Sequence, residues 1–425
     1  MTIHIAGDEP AHFTLGGIPS TRLAAAGEIQ LPLVSFIVRN WNYGRFVGSA
    51  IDSIKTQDYP RIEAIVVDNA STDESRDVIQ RHVGDAPNFT VIHADSNLGA
   101  LGGALQGLQE ARGEFIVFVD SDDTLLTNFA SVHVQAHLAG RLNIAFTSSA
   151  ALESSGAGVL VNGHRKRSVI ARPDGRLDLR PAGFVPRLAT IRDDTYQTLQ
   201  NATTILDPRL SLWLWPWSPG TANMYRRFML DLVAPVCDDP ATSKRLSTDG
   251  HYNRLCHVLG GSAFIDMPLS TYRIHGDNAH ASEPSLHAML TDGGPATRSD
   301  TLRIKEIIRV LVAHADDFSW RIGADRYWEA LAMLLDYSRH TGSANGATDV
   351  SDFLATQLPR LNATFGEKRA LRQLAKRVPS ATLTAAFNRH HGENVPPEIR
   401  WELRFVRLRR LKAQIKRRFR KWRGR

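Results

Sequence analysis

Three carboxylates crowd into four residues at Asp120-Ser121-Asp122-Asp123, directly after the apolar run Phe115 to Val119. Like charges at that spacing repel unless a cation, a helix N-terminus or hydrogen bonds compensate them. A divalent cation, Mn²⁺ or Mg²⁺, is the compensation with chemistry in it, because it neutralises a departing diphosphate as a Lewis acid. One carboxylate suffices for an N-cap, and here there are three. The expected division puts Asp122 on the metal, Asp120 on ribose or metal, and Asp123 on the donor side, partly as the cap of a helix from Leu125 onward. Asp68 ends a second apolar run, Ile62 to Val67, where its carboxylate can accept a hydrogen bond from the N3–H of uracil. A plain turn residue in Asp68-Asn69-Ala70-Ser71-Thr72-Asp73 is the alternative. Asn40 and Trp41 follow a third apolar run, so a base could hydrogen-bond to one and stack on the other.

These residues need a scaffold that brings strand ends together. Leu33 to Arg39 reads as a buried strand, and Phe46, Val47, Ala50, Ile51 and Ile54 recur at helical spacing after it. Ile62 to Val67 is the next strand, and Asp73 to His82 a helix with Ser71 or Thr72 as N-cap. Phe89 to His93 and Phe115 to Val119 are further strands, separated by a helix over Leu98 to Ala111. Strands apolar on both faces, alternating with amphipathic helices, predict an α/β domain with a mostly parallel sheet flanked by helices. Ligands of such sheets sit beyond the carboxyl ends of the strands, which places Asn40, Asp68 and Asp120 to Asp123 along one rim. The pattern weakens from about 150 to 220, where Trp213, Trp215 and Trp217 are either core or a platform for a sugar ring.

The 425 residues exceed one ordinary core, and the 43% hydrophobic and 22% charged content is that of a globular chain. Cys237 and Cys256 support neither a disulfide framework nor a zinc motif and read as free thiols in a reducing compartment. The first thirty residues lack a basic start followed by an apolar core, and no run nears ~18 apolar residues. A cytoplasmic enzyme is the expectation. Most of the net charge of +7 sits in residues 400–425, with thirteen lysines and arginines and one acid, Glu402. The rest is mildly acidic, which argues against nucleic acid as a partner.

The order V-S-F-I-V-R-N-W-N-Y-G-R-F, I-V-V-D-N-A-S-T-D-E-S and A-R-G-E-F-I-V-F-V-D-S-D-D-T-L closely resembles the family 2 glycosyltransferases. Ser247-Thr248-Asp249, Phe264 to Leu269 and Tyr272 to Gly276 are similar to that family's later segment, so the resemblance covers roughly 33 to 280. It implies the GT-A fold, inversion at the anomeric carbon, Asp249 as general base, and His275 beside the metal or diphosphate. An N-cap role for Asp249 and a loop role for His275 are the alternatives. The chain departs from the pattern at four places: Arg39-Asn40 for Pro-Thr, Trp41 for Tyr or Phe, Thr248 for Glu, and Ala104-Leu105 for Arg-Asn. The Q-x-x-R-W motif of processive synthases is missing, so addition of a single sugar is expected.

The domain layout follows: a leader at 1–30, a GT-A domain at 31–280 with a nucleotide-binding half to 125 and an acceptor half from 126, a linker at 281–300, and helices at 301–395. In the tail, 396–425, Trp401, Phe405, Leu408, Leu411, Ile415, Phe419 and Trp422 form one stripe of a basic amphipathic helix. Such a helix suits an anionic membrane surface, the inner face of the cytoplasmic membrane, or docks on protein. The expected reaction moves one sugar from a nucleotide-diphosphate-sugar, a UDP-sugar first, to a saccharide or lipid-linked acceptor in bacterial surface polysaccharide or glycolipid assembly. The alternative is a non-catalytic scaffold or sugar-nucleotide binder that keeps the fold.

Overall fold

A computed structural model describes residues 31–140, 143–154, 215–234, 246–275, 299–341, 346–392 and 394–405, with shorter pieces at 13–15, 18–20, 159–162, 171–176 and 201–207 and a few single positions. The leader apart from its short pieces, the linker up to residue 298, Trp213, Cys237 and the tail beyond 408 lie outside the described residues. Chain contacts divide the protein into two units, residues 1–295 and 296–425.

The first unit is built on one mixed sheet. Strands β3 (Val34–Asn40), β4 (Ile62–Asp68), β5 (Phe89–His93) and β6 (Phe115–Asp120) run parallel in the order β6-β3-β4-β5. A hairpin of β1 (Phe13–Leu15) and β2 (Ile18–Ser20) stands apart from them. Beyond β6 the sheet turns antiparallel through β12 (Asn223–Arg226) to β8 (Phe146–Ser154). The twelve-residue β13 (Ser262–Arg273) then lies parallel to β8 and receives β11 (Thr203–Leu206), which pairs with β10 (Ala171–Arg176). β7 (Thr124–Leu125) joins β13, and β9 (Val159–Asn162) joins β8.

Alternation along β3 explains the layers. Val34, Phe36 and Val38 are fully buried against Val47, Ala50, Ile51 and Ile54 of α1 (Gly44–Lys55) and Phe129 of α4 (Phe129–Ala139). Helix α2 (Ser75–Val83) adds Ile79 and Val83 to the same core. On the other face Ile37 meets α3 (Gly99–Glu110) at Gly107. A Cβ on Gly107 would lie 2.3 Å from Ile37 Cγ2, so the missing side chain is what lets α3 reach the sheet. Helices α5 (Arg227–Val233) and α6 (Thr248–Gly260) complete this unit, with Tyr252 of α6 stacked on Phe118 of β6 at 5.6 Å. Cys256 is buried in α6 as a free thiol.

Two local expectations change. The chain after Asp123 forms β7 rather than a helix, because Thr124 and Leu125 find backbone partners on β13; the helix starts only at Phe129. Helix α2 starts at Ser75, and Ser71 is not its cap, since the Ser71 hydroxyl accepts from Asn40 Nδ2 and the Asn42 amide.

The second unit is helical: α7 (Ser299–Ala313), α8 (Ala315–Ile322), α9 (Ala324–Thr341), α10 (Gly346–Phe365), α11 (Glu367–Arg377) and α12 (Ser380–His391). Ile304, Ile307, Ile308 and Leu311 line its core, and Trp328 packs on Phe365 at 4.9 Å. Among the described residues no helix is long and apolar enough to cross a membrane.

Gly107→Ala should destabilise the first unit by about 1–3 kcal/mol, the usual effect of overpacking against a β-branched neighbour. Chemical denaturation measures this, and an unchanged midpoint would mean that α3 does not depend on the close approach.

Candidate active site

The parallel half of the sheet sets the rim by register alone. Asn40 pairs with Asp68 and Asp68 with His93, while Arg39 pairs with Asp120, so four strand ends present these residues side by side.

Each of the three clustered carboxylates has its own partner. Asp120 is ion-paired with Arg39 Nη2, and Arg39 Nη1 donates to the Thr248 hydroxyl. Arg39 is 9% exposed, whereas Asp120 keeps 39% of its side chain open to the cleft. Burial raises the Asp120 carboxyl to about 6; Arg39 opposes this and the charges of Asp122 and Asp249 add to it. Asp122 Oδ2 lies 3.1 Å from His275 Nε2. Asp123 is buried; its Oδ2 accepts from Thr221 Oγ1 at 2.7 Å and its Oδ1 from the Arg273 amide at 3.1 Å. Asp123 is pushed well above the ordinary carboxylate range by burial, then by Asp122 and Asp120. It caps no helix. It ties the β6 turn to the end of β13 and to the short 3₁₀ turn Gly220–Ala222.

That turn closes the cleft floor. Thr221 Oγ1 accepts from the Asp120 amide at 3.0 Å. A Cβ on Gly220 would sit 3.2 Å from Asp120 Oδ2, 3.5 Å from Arg39 Nη2 and 3.9 Å from Asp249 Cβ. A glycine leaves that space open, and the same three distances bring Asp249 close to Asp120 and Arg39. Asp249 is half-buried in the first turn of α6, where Ser247 is the N-cap and accepts from the Gly250 amide at 3.1 Å. Capping is therefore done by Ser247, although Asp249 Oδ1 also accepts from Gly250 N at 2.7 Å.

His275 follows β13 and is held by aromatic rings from the start of α1. Its ring centroid is 4.7 Å from that of Phe46 and 5.5 Å from that of Tyr43. Arg45 Nη2 reaches its Nδ1 at 3.5 Å. Asn278 accepts from the His275 amide at 2.8 Å and donates to the Arg273 carbonyl at 2.7 Å, fixing the turn. A carboxylate and an imidazole already in contact form an oxygen and nitrogen donor pair that suits Mn²⁺ better than Mg²⁺, which prefers oxygen ligands.

The base-side residues are also gathered. Asp68 is fully buried: Oδ1 accepts from Ser71 N at 3.3 Å, and Oδ2 faces Arg76 Nε at 3.1 Å and His93 Nδ1 at 3.3 Å. Burial works to raise this carboxyl, but the hydrogen bonds from Ser71, Arg76 and His93 outweigh it and hold it low. A base edge reaches Asp68 only by displacing one of these partners, and Arg76 is 55% exposed. Asn40 is buried and leaves its Oδ1 without a hydrogen-bond partner, while Trp41 stands 49% exposed beside it. Trp217 is core, its Nε1 donating to Ser262 Oγ at 3.0 Å, and Trp215 packs edge-on against it at 5.1 Å.

Five contributors were not assigned from the sequence: Arg39 and Thr248 as partners, Gly220 and Thr221 of the short turn, and Arg273, whose Nε donates to the Asp122 carbonyl at 2.8 Å. An arginine ending an otherwise apolar parallel strand was the available signal for Arg39. Nothing local marks Gly220 or Thr221, which lie about a hundred residues from their partners.

The model "Glycosyl transferase family 2" matches residues 35–158. An uncharacterized glycosyltransferase of Nostoc sp. is 28% identical over 290 residues, 68% of this chain and 76% of that protein. A Campylobacter jejuni protein named GalNAc(5)-diNAcBac-PP-undecaprenol beta-1,3-glucosyltransferase is 32% identical over 34% of this chain, a match spanning 47% of its own length. The crystal structure of S. aureus TarS residues 1–349 aligns with TM-score 0.42 and 17% identity over 85% of this chain and 92% of that one. Residues 35–158, from β3 through β8, match that family model, and the chain is a glycosyltransferase built on an α/β sheet.

Proposed function

We propose that this enzyme transfers a single sugar, with inversion, from a nucleotide-diphosphate-sugar to an acceptor hydroxyl, and that the donor is a UDP-sugar. The observation that supports this reading is the convergence of Asp120, Arg39 and Asp249 beside Gly220, all within 3.9 Å of where its Cβ would lie. A carboxylate on α6 close to the strand-end carboxylates stands where a base for an acceptor hydroxyl would be needed in a single displacement.

The roles follow from position. Asp249 accepts the proton of the acceptor hydroxyl as its oxygen bonds to the anomeric carbon and the bond to the diphosphate breaks. Asp122 and His275 hold Mn²⁺ or Mg²⁺, which when bound neutralises charge on the leaving diphosphate. Asp120, anchored by Arg39, faces the ribose. Asp68, Asn40 and Trp41 take the base, with Arg76 swinging away from Asp68 as the uracil edge arrives. Asp123 acts through structure, holding the turn that aims Asp122. A saccharide or lipid-linked acceptor in bacterial envelope assembly fits the family and the name of the Campylobacter relative. The basic stripe of 396–425 is proposed to rest on an anionic membrane surface. The proposed layout keeps the nucleotide-binding half at 31–125, the acceptor half at 126–280 and the helices at 301–395.

Three outcomes test this reading. Thermal-shift titration with UDP-sugars should show a Mn²⁺-dependent rise that Asp122→Ala abolishes; an equal rise in the variant would remove Asp122 from the metal. Asp249→Asn should lower kcat by about 10²–10⁴ with donor affinity kept, as expected for loss of a general base; near-full turnover would assign the base elsewhere.

The third concerns pH. Burial pushes the Asp120 carboxyl up to about 6, and a bound cation would favour its ionised form, so Mn²⁺ affinity should climb as pH rises through that region. Arg39→Gln removes the opposing positive charge, which should displace the climb to higher pH and lower kcat/KM by about tenfold to a hundredfold. A pH profile identical in the variant would show that Arg39 does not govern Asp120.

A further inference from the structure

The helical unit contains a second cluster with metal-binding chemistry, outside the rim and independent of the reading above. Glu367 opens α11 directly after Gly366, and His390 and His391 close α12 directly before Gly392. Both glycines have positive φ, 79° and 60°, so sharp turns bring the start of one helix and the end of the other together. One ligand atom from each of the three side chains lies within 4.8 Å of the others, and all three residues are half-buried. The His391 Nε2 atom contacts Glu367 Oε1, and the His390 and His391 ring centroids are 4.6 Å apart at 65°.

A surface ion pair between His391 and Glu367 accounts for two of these groups but not for the rest. His390 turns its Nε2 to within 3.5 Å of the Asn362 amide nitrogen, near the end of α10. The other end of that amide, Asn362 Oδ1, is buried with no hydrogen-bond partner. An unpaired buried oxygen is costly to leave unmade. Turning the amide end for end points this oxygen to the side of His390, where a cation would satisfy it.

We propose that Glu367, His390 and His391 bind a zinc ion, with Asn362 or water as the fourth donor, and that the ion pins the ends of α10, α11 and α12 together. Two imidazoles and a carboxylate suit Zn²⁺, whereas Mg²⁺ prefers all-oxygen shells. Tetrahedral bonds of about 2.0–2.2 Å require the ligand atoms to close to about 3.5 Å, a movement of roughly one ångström for flexible side chains. The role is structural. It fixes helix ends whose own hydrogen-bonding groups are incomplete.

The test uses the full-length chain, stripped with EDTA and then titrated with ZnCl₂ against a chromophoric chelator, with excess Mg²⁺ present to occupy the rim. About one equivalent of zinc should bind, raising Tm by roughly 3 °C or more at saturation. His391→Ala and His390→Ala should each weaken zinc binding at least tenfold and remove the Tm rise. The exposed His314→Ala and the rim variant Asp122→Ala should leave both unchanged. Circular dichroism of the histidine variants without metal confirms that they fold. Zinc uptake that survives His390→Ala and His391→Ala, or that disappears with Asp122→Ala, overturns the proposal, as does absence of uptake by the unaltered chain.

Discussion

Three carboxylates in one turn of chain cannot be placed beside a cleft unless each is given a different answer to its charge, and most of the first unit is organised around those answers. Asp120 is balanced by the buried Arg39, Asp122 by the imidazole of His275, and Asp123 by a hydroxyl and a backbone amide. These four partners come from β3, from the end of β13 and the segment after it, and from the turn before β12. One four-residue motif therefore recruits distant parts of the chain, and mutual repulsion forbids any arrangement in which these parts drift away.

The mixed sheet is the device that makes such recruitment possible. Its parallel half aligns Asn40, Asp68, His93 and Asp120 because parallel strands in register end together. Its other half carries β13 alongside β8, so that Arg273 and His275 arrive at the rim from the opposite edge of the site. The groups gathered at the rim thus come from the parallel and the antiparallel parts of one sheet. Gly220, between them, leaves the floor open where any side chain would fill it.

Two of the departures from the family pattern prove to be neighbours. Arg39 stands where the family carries an uncharged residue, Thr248 stands where it carries an acid, and the two side chains are hydrogen-bonded. An added cation and a removed anion would each disturb the balance of a buried acidic site. Together they give Arg39 one carboxylate and one hydroxyl to bond, which keeps Asp120 anchored beside Asp249. The departure is a coherent local rearrangement in which one acid is lost at Thr248 while Asp120, Asp122, Asp123 and Asp249 remain. The replacement of Arg-Asn by Ala104-Leu105 has no such partner: Ala104 is buried in α3, and nothing in the structure explains that change.

The sequence by itself determined the strands, the helices between them and the rim, because those depend on local properties. Apolar runs such as Phe115 to Val119 specify buried strands, and a carboxylate at the end of each run must then lie at a strand end. It also singled out Asp122, Asp249 and His275 through their order in the chain, and the fold brings Asp122 against His275 and Asp249 close to Asp120. What it left open were the weakly patterned strands β8 to β12, whose pairing is set by partners far away, and the short β7, where tertiary pairing with β13 overrode a helix start. Only the tertiary structure decided that Asp123 is a buried tie, that Asp68 is covered by Arg76 and His93, and that Gly220 and Thr221 form the floor. The physical reason is the same in each case: burial and charge compensation depend on what lies across the fold, and about a hundred residues of chain separate these groups from what they touch.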